Sequence, residues 1–255
     1  MTKRTQTGLN VATLLAASVI GLGTGSPTVA QEMSASVEAV GSGGRMTMVM
    51  PGSDADPNRM VREELTFQPW SVIEELARDD VVLLMRHGPT DWSKRDVANV
   101  APTDCENQRV MTEAGKRQMY ELGALLVAND LRPGRIVVSD WCRNQQTLEA
   151  MREGMTDADA SALDDVEIET MSELNLLLSL QGAPDVDAMR QFMASWDGGD
   201  QDGPLLVISH FTNIQELTEQ AVYEGEMLLI DPDQSNRVVG ELKLGSAGPD
   251  VGHFE

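Results

Sequence analysis

Short, unbroken apolar runs alternate along the chain with longer amphipathic stretches. The runs at 81–85, 136–138 and 205–208 are apolar throughout, which is typical of strands buried on both faces of a sheet. Residues 112–128, 143–151 and 185–196 have the spacing of amphipathic helices, and Thr112 is a good N-cap for the first. Strand and helix therefore alternate, which predicts an α/β fold: a three-layer sandwich around a mostly parallel central sheet.

Weaker signals add shorter elements. We expect a short helix over 70–78, a strand over 166–171, a helix over 212–222 and late strands over 227–230 and 238–244. Residues 31–65 are rich in Gly, Ser and Pro and lack a sustained apolar period. The composition of that segment predicts a disordered linker, with the folded domain over residues 66–255.

The first 30 residues have a composition of their own. Lys3 and Arg4 precede an apolar stretch over 11–22, and small residues follow up to Ala30. This layout predicts a secretory signal peptide, cleaved after Ala30, and a periplasmic or secreted mature protein. An uncleaved anchor is the alternative, but the stretch is too short to cross the ~30 Å of a bilayer core. No later segment reaches the length of a membrane span, so we expect none in the mature chain.

The charge of the chain excludes some classes of partner. The formal net charge is −22, and without Lys3 and Arg4 the chain keeps 17 basic residues beside 41 acidic ones. Such a surface repels nucleic acid and anionic lipid, so neither is expected as a partner. A site for an anionic substrate would need a local cluster of positive groups.

Polar residues follow each of the three apolar strands. Arg86 and His87 follow the first, Ser139 and Arg143 follow the second, and His210 follows the third. Singly, each histidine could form a local hydrogen bond and each arginine a surface salt bridge. Sites in open α/β sheets form beyond the carboxyl ends of strands, however, so these side chains should converge. Arginine forks bind phosphate, and their charge keeps a nearby imidazole neutral and nucleophilic.

Three segments resemble one known family in order and spacing. Residues 84–92 read LMRHGPTDW, residues 139–147 read SDWCRNQQT and residues 207–210 read VISH. They resemble the R-H-G-x-T-x-W, S-x-x-x-R-x-x-Q-T and V-[ST]-H motifs of the histidine phosphatase superfamily, which includes phosphoglycerate mutases. The resemblance covers about residues 70–244 and implies a phosphoglycerate mutase-like fold. The remaining histidine, His253, lies in a Gly-rich tail and is expected to be exposed and uninvolved.

A closer resemblance is to an exported bacterial subgroup that includes the periplasmic lipopolysaccharide core heptose phosphatase. Residues 104–115, residues 141–143 and the Gly225-Glu226 pair look like that subgroup. The two cysteines, Cys105 and Cys142, could be unrelated thiols, but an even pair in an exported protein suggests a disulfide. The resemblance supports pairing them, which would close a loop of 36 intervening residues.

The resemblance also implies roles for individual residues. His87 would be the nucleophile, and Arg86, Arg143 and His210 would hold the transferring phosphoryl group. Glu173 is the candidate general acid, with Asn175 as an alternative anchor at that place. Ser93 stands where many mutases carry Asn, which puts one phosphate contact in doubt. The candidate substrate-binding residues are Thr90, Ser93, Arg109 and Asn213; no metal and no cofactor are implied.

The sequence therefore predicts an exported histidine acid phosphatase-type phosphomonoesterase. Its substrate would be a small phosphorylated molecule, with a cell-envelope sugar phosphate as one candidate. A phosphoglycerate-type mutase is a second reading, although that substrate is cytosolic. A non-catalytic phosphate-binding or phosphosugar-binding module is a third. A metal site built from His87, His210, Cys105 and Cys142 is a fourth, but it lacks metal-binding spacing.

Overall fold

The computed structural model describes residues 33–51, 60–199 and 202–245. The predicted signal peptide, its cleavage site at Ala30 and His253 lie outside these residues. The described strands are β1 (Ser34–Val40), β2 (Gly43–Pro51), β3 (Met60–Gln68), β4 (Val82–Arg86), β5 (Arg135–Val138), β6 (Glu167–Thr170), β7 (Leu205–Ser209), β8 (Met227–Asp231) and β9 (Arg237–Leu244). The described α-helices are α1 (Val72–Glu75), α2 (Glu113–Ala128), α3 (Cys142–Ala158), α4 (Asp187–Ala194) and α5 (Phe211–Thr218), and two 3-10 turns cover Ser172–Leu174 and Pro232–Gln234.

The described strands form one sheet in the order β1-β2-β3-β9-β8-β4-β7-β5-β6. The half that contains β4, β7, β5 and β6 is parallel, as expected from the alternation of strand and helix. The other pairings are antiparallel. The α/β class is therefore confirmed, and the sheet is mixed rather than mostly parallel because the strands within 31–68 and 227–244 add an antiparallel half.

Helices cover both faces of the parallel half. In β4, Leu83 and Met85 face the core under α2 and α3, whereas Val82 and Leu84 face the core under α4 and α5. All four side chains are fully buried. A strand that is apolar at every position is therefore buried on both faces, and the layered sandwich follows from that burial.

Residues 31–65 are not a linker where the structure describes them. β2 pairs with β1 and β3, and β3 pairs with β9, so this segment extends the sheet. Met46, Met48 and Met50 are buried while the residues between them are half-buried. This two-residue period marks a strand with one buried face, and the Gly-rich stretch that suggested disorder forms the hairpin turn, with Gly41 at φ +61°.

The predicted helices and strands are otherwise confirmed, with ends shifted by a few residues. Thr112 caps α2 as expected, because its hydroxyl accepts a hydrogen bond from the Gly115 backbone N–H at 2.9 Å. Helix α3 is longer than predicted and runs to Ala158. Within the described ranges, none of the helices has the length and apolar character needed to cross a membrane.

Helices α2 and α3 approach each other through two glycines. A Cβ atom at Gly123 would lie 2.1 Å from the Met151 carbonyl oxygen, and one at Gly154 would lie 1.9 Å from the Tyr120 carbonyl oxygen. Neither distance is compatible with a side chain. The two helix backbones are therefore in direct contact around Met151 and Gly154.

The packing of β3 can be tested with Leu65→Ala. Leu65 is fully buried in the core under α2, so we expect the free energy of unfolding to fall by about 3 kcal/mol through the lost apolar contacts and the cavity. Urea unfolding measures this change. Val37→Ala on the exposed strand β1 is the control and should change stability by less than about 0.5 kcal/mol. A loss of that small size for Leu65→Ala would mean that β3 is not part of the cooperative fold.

Candidate active site

The carboxyl ends of β4, β7 and β5 bring the predicted catalytic residues together. β7 lies between β4 and β5 and is parallel to both. The backbone N–H of His87 donates to the Ser209 carbonyl at 3.1 Å, and that of Ser139 donates to the Ile208 carbonyl at 3.1 Å. The rings of His87 and His210 lie edge to face, with centroids 5.7 Å apart. Side chains from three separate segments of the sequence thus share one site.

The backbone fixes which ring nitrogen of His87 keeps its lone pair. His87 Nδ1 lies 3.0 Å from the carbonyl oxygen of Gly88. Because a carbonyl oxygen only accepts hydrogen bonds, Nδ1 must carry the proton of the neutral ring. Nε2 is then left with its lone pair, which is the state that nucleophilic attack requires.

The surroundings of His87 also keep its ring uncharged. The side chain is about 3% exposed. Burial lowers the pKa of His87 well below its ordinary value, and the charges of Arg143 and Arg86 lower it further. The imidazole therefore remains neutral at physiological pH.

Three arginines surround the two histidines. Arg86 donates from Nη1 to the Val222 carbonyl at 2.9 Å, and its guanidinium lies 5.3 Å from the Phe211 ring. Arg143 is the second residue of α3, shortly after the end of β5, and its guanidinium lies 4.9 Å from the Trp141 ring centre. Burial lowers the pKa of Arg143, and an arginine remains charged nevertheless. These guanidinium groups form a local positive cluster. An acidic chain would need such a cluster to bind an anionic substrate.

Arg109 is the third of these arginines and comes from the loop between β4 and α2. Its guanidinium stacks on the Trp92 ring at 3.6 Å. Burial, together with the charge of Arg143, lowers the pKa of Arg109 to about 10. The same loop supplies Asp96, which accepts a hydrogen bond from Arg143 Nη1 at 3.1 Å and one from the Arg109 backbone N–H at 2.7 Å. The loop is thus part of the site.

Glu224 is a buried carboxylate at the centre of this cluster. Its oxygens lie 3.6 Å from Arg86 Nη2, 3.9 Å from Arg109 Nη2 and 3.9 Å from His87 Nδ1. It also accepts hydrogen bonds from the Thr90 hydroxyl and backbone N–H and from the Trp92 indole N–H. Glu224 therefore offsets part of the arginine charge and holds the segment that follows His87.

Sequence reasoning missed Glu224. The resemblance singled out Gly225 and Glu226, which have structural tasks next to it. The Gly225 N–H donates to the His87 carbonyl at 3.0 Å, and Gly225 has a φ of +84° that favours glycine. Glu226 accepts the Tyr223 N–H at 2.8 Å. The turn that carries Glu224 is therefore tied to the first catalytic segment.

His210 is held by a chain of polar groups on the side of β5. Its Nε2 lies 2.9 Å from the Ser139 hydroxyl, which donates to the side-chain oxygen of Asn175 at 2.7 Å. Burial, followed by the charges of Arg143 and Arg86, lowers the pKa of His210 well below its ordinary value. His210 is therefore a neutral base in the same pocket as His87.

Glu173, the candidate general acid, is not brought into the site. The 3-10 turn Ser172–Leu174 buries Leu174 and leaves Glu173 exposed, and its described hydrogen bond is with Ser172 at 3.2 Å. Asn175, the alternative at that place, lies in the polar chain behind His210. A short turn presents successive side chains in different directions, so the sequence position of an acidic residue did not predict its placement.

The four candidate substrate-binding residues have different positions. Thr90 is buried against Glu224, and Arg109 belongs to the cluster. Ser93 is exposed and bonds to Asp91 at 2.6 Å, outside the cluster. Asn213 is fully buried, and its amide donates to the Asn175 carbonyl at 2.9 Å, which makes it a packing residue behind the site.

The disulfide between Cys105 and Cys142 is present, as predicted. It joins the β4–α2 loop, which carries Asp96 and Arg109, to the first residue of α3, next to Arg143. The fourth sequence-based reading, a metal site that includes these cysteines, is wrong because both sulfurs are in the disulfide. Within the described part of the chain, no three His, Cys, Asp or Glu side chains form a cluster that could hold a metal ion.

The contribution of this disulfide can be measured with the double variant Cys105→Ser, Cys142→Ser. The bond closes a loop with a sequence separation of 37, so its loss should lower the free energy of unfolding by about 3–4 kcal/mol in the chain-entropy account. Urea unfolding checks this value, and the parent protein with reductant should show the same loss. A change below about 1 kcal/mol would show that the bond does not constrain the unfolded chain.

Replacing Glu224 by alanine tests its place in the cluster. Glu224→Ala leaves buried guanidinium groups without their carboxylate, so the free energy of unfolding should fall by about 3–5 kcal/mol. Thermal and urea unfolding report this loss. Glu173→Ala is the matched control, and the same substitution at that exposed position should cost less than about 0.5 kcal/mol. Equal effects at the two positions would contradict the central place of Glu224.

Comparison with known proteins finds one matching family model and several solved structures of low identity. The family model for the histidine phosphatase superfamily (branch 1) matches residues 82–204. No curated protein matches the chain. The solved structures that are similar include the protein histidine phosphatase SixA complexed with tungstate, with 20% identity, a TM-score of 0.43 and coverage of 64% of this chain and 94% of that chain. A mycobacterial glucosyl-3-phosphoglycerate phosphatase has 14% identity, a TM-score of 0.40 and coverage of 67% and 99%.

The matched residues 82–204 contain the first two motif segments, and the third motif begins at Val207, just beyond the match. The resemblance that these motifs carry is therefore confirmed at the level of the superfamily. Over residues 82–204 the chain is therefore similar to the histidine phosphatase superfamily, branch 1.

Proposed function

We propose that the chain is an exported phosphomonoesterase that hydrolyses a phosphate ester through a phosphohistidine on His87, without a metal ion. The observation that carries the proposal is the state of His87. Its Nδ1–H is committed to the Gly88 carbonyl at 3.0 Å, so Nε2 is unprotonated, and the ring is buried among guanidinium groups. A neutral nucleophile within an anion-binding cluster suits attack on a phosphoryl group.

In the first step, His87 Nε2 attacks phosphorus. The new N–P bond forms while the P–O bond to the leaving group breaks, and the leaving oxygen takes a proton from solvent water. Arg86 and Arg143 neutralise the charge on the phosphoryl oxygens. The Glu224 carboxylate near Nδ1 stabilises the positive charge that the phosphorylated ring acquires.

In the second step, water attacks the phosphohistidine. The N–P bond breaks, the ring returns to its neutral form, and inorganic phosphate leaves with the proton lost by the water. Metal ions in other phosphatases activate the nucleophile and neutralise phosphoryl charge. Here His87 and the arginines can fill both tasks, which supports the metal-independent form of the proposal.

Export is supported by two independent features. The sequence of the first 30 residues resembles a signal peptide, and the Cys105–Cys142 disulfide is of a kind that persists in oxidising compartments. The net charge of −22 favours a small phosphorylated substrate over an anionic polymer, which the surface would repel. A cell-envelope sugar phosphate fits both the compartment and the chemistry.

The exposed position of Glu173 favours one second candidate. If the pocket holds phosphate but cannot protonate a leaving group, the chain is a phosphate-binding module rather than an enzyme. Aryl phosphates are therefore the right first substrate, since an aryl oxide leaves with little need for a proton.

The decisive test is phosphate release from p-nitrophenyl phosphate by the chain from Gln31 onward, with a chelator present and no bisphosphorylated primer. We expect turnover by the parent and a loss of at least about a thousandfold in His87→Ala, since that variant lacks the nucleophile. His253→Ala, the same substitution at another histidine, is the matched control and should keep full activity. Acid-labile phosphate trapped on the parent and absent from His87→Ala would identify the intermediate.

Each outcome separates the candidates. Equal activity of the parent and His87→Ala would remove His87 as the nucleophile. Phosphate binding without turnover would favour the binding module, and turnover only with a bisphosphorylated primer would favour a mutase. Loss of activity with the chelator would contradict the metal-independent mechanism.

A further inference from the structure

We propose that this site takes up its phosphoryl group together with one proton, shared between a phosphoryl oxygen and Nδ1 of His210, and so discriminates phosphate from sulfate. The inference rests on the proposed function, because it concerns the same pocket. It follows from the positions of the hydrogen atoms around His210, beginning with the residue farthest from the ring.

The side-chain amide of Asn175 has only one orientation that satisfies its neighbours. Its oxygen accepts the backbone N–H of Asp140 at 2.9 Å. Its nitrogen donates to the Asp140 carboxylate at 2.9 Å. A flipped amide would place donor against donor and acceptor against acceptor, so the oxygen must be the atom that faces Ser139.

The orientation of Asn175 decides where the Ser139 hydroxyl hydrogen goes. The Ser139 oxygen lies 2.7 Å from the Asn175 oxygen, which can only accept, so the single hydroxyl hydrogen is used there. The same hydroxyl accepts the Trp141 backbone N–H at 3.3 Å. Toward His210 it can therefore only accept, and His210 Nε2, at 2.9 Å, must carry a hydrogen.

A neutral His210 with its hydrogen on Nε2 has a bare lone pair on Nδ1. His210 is 1% exposed, and its Nδ1 finds no hydrogen-bond partner among the described residues. A buried acceptor without a donor is costly, so this atom is suited to a ligand that brings a hydrogen. Because Nε2 is turned to Ser139, Nδ1 is the ring nitrogen left for such a ligand.

The charged groups that face His210 oppose its protonation in the empty site. Arg143, Arg86 and Arg109 all disfavour a further positive charge, and burial acts in the same direction. The ring also meets the edge of His87 and the Trp141 ring, whose centroid is 5.9 Å away. Carboxylates could favour protonation of His210, but those nearby act on its ring only through other side chains.

Those carboxylates are committed to other partners. Asp140 lies behind Asn175 in the polar chain, Glu224 contacts Arg86 and His87, and Asp96 contacts Arg143. The lone pair on Nδ1 therefore persists until a ligand arrives.

An oxyanion next to this lone pair is repelled unless a hydrogen lies between the two atoms. A phosphate ester supplies that hydrogen readily, because its second pKa is about 6. Sulfate holds no proton near neutral pH and can bind only if His210 is protonated against three arginines. The same pocket should therefore accept phosphate with a proton and reject sulfate.

Calorimetric titration with phenylphosphonate, whose C–P bond a phosphatase cannot hydrolyse, and with sulfate tests the proposal. At pH 8.5 the phosphonate is mainly the dianion, which has no hydrogen on its oxygens, so binding in two buffers of different ionisation enthalpy should reveal the uptake of about one proton per ligand bound. Inorganic phosphate, whose dianion already carries one hydrogen, should bind without that uptake. Sulfate should bind at least about tenfold more weakly under the same conditions. Phosphonate binding without proton uptake, or sulfate binding of equal strength, would overturn the proposal while leaving the phosphatase function intact. An absence of binding by both phosphonate and phosphate would sink both.

Two serine variants test whether the hydrogen bonds from Asn175 through Ser139 to His210 determine the proton uptake. Ser139→Ala removes the acceptor for Nε2–H, so the ring can place its hydrogen on Nδ1, and proton uptake should fall toward zero with the loss of discrimination. Ser209→Ala is the matched control, since Ser209 is equally buried at a neighbouring strand end and bonds to the Leu174 carbonyl at 3.0 Å. It should keep the uptake of the parent. Unchanged uptake in a folded Ser139→Ala would contradict the assignment, and if that variant does not fold, the parent measurements alone decide.

Discussion

The burial of three guanidinium groups beside two uncharged imidazoles is the constraint on which this site depends. Removing charge from water is costly, and Arg86, Arg109 and Arg143 remain charged in spite of it. The protein offsets this cost with carboxylates that come from elsewhere in the chain: Glu224 from the turn before β8 and Asp96 from the loop after β4. The histidines respond in the opposite way and stay neutral, because an imidazole can release its proton.

The sheet supplies the frame that makes such a cluster attainable. β4, β7 and β5 are parallel neighbours, so the residues after them meet although they are distant in sequence. Hydrogen bonds of the backbone, rather than of side chains alone, then orient the reactive groups. The Gly88 carbonyl selects the tautomer of His87, and the Asp140 backbone N–H sets the orientation of Asn175 and thereby the tautomer of His210.

The sequence predicted the parts of the site that strand ends determine. Arg86, His87 and His210 come at the ends of fully apolar strands, which places them at the edge of the sheet, and their convergence follows from parallel order. Glu224 could not be predicted, because a glutamate is exposed by default and its partner Thr90 lies 134 positions earlier in the chain. The same limit applies to the wrong prediction for residues 31–65. There the Gly-rich composition hid a two-residue alternation of methionines, and their packing against α2, which is distant in sequence, could not be read from the segment itself.

The contact between α2 and α3 has a consequence for how this domain tolerates change. Gly154 lies eleven residues beyond Arg143, so about 16 Å of helix separates the two. A helix is stiff over that distance, and a methyl group at Gly154 would push α3 away from α2 and move the guanidinium at its other end. The position of Arg143 therefore depends on a remote, buried residue that has no side chain, and a substitution at Gly154 should disturb the site although it lies far from it.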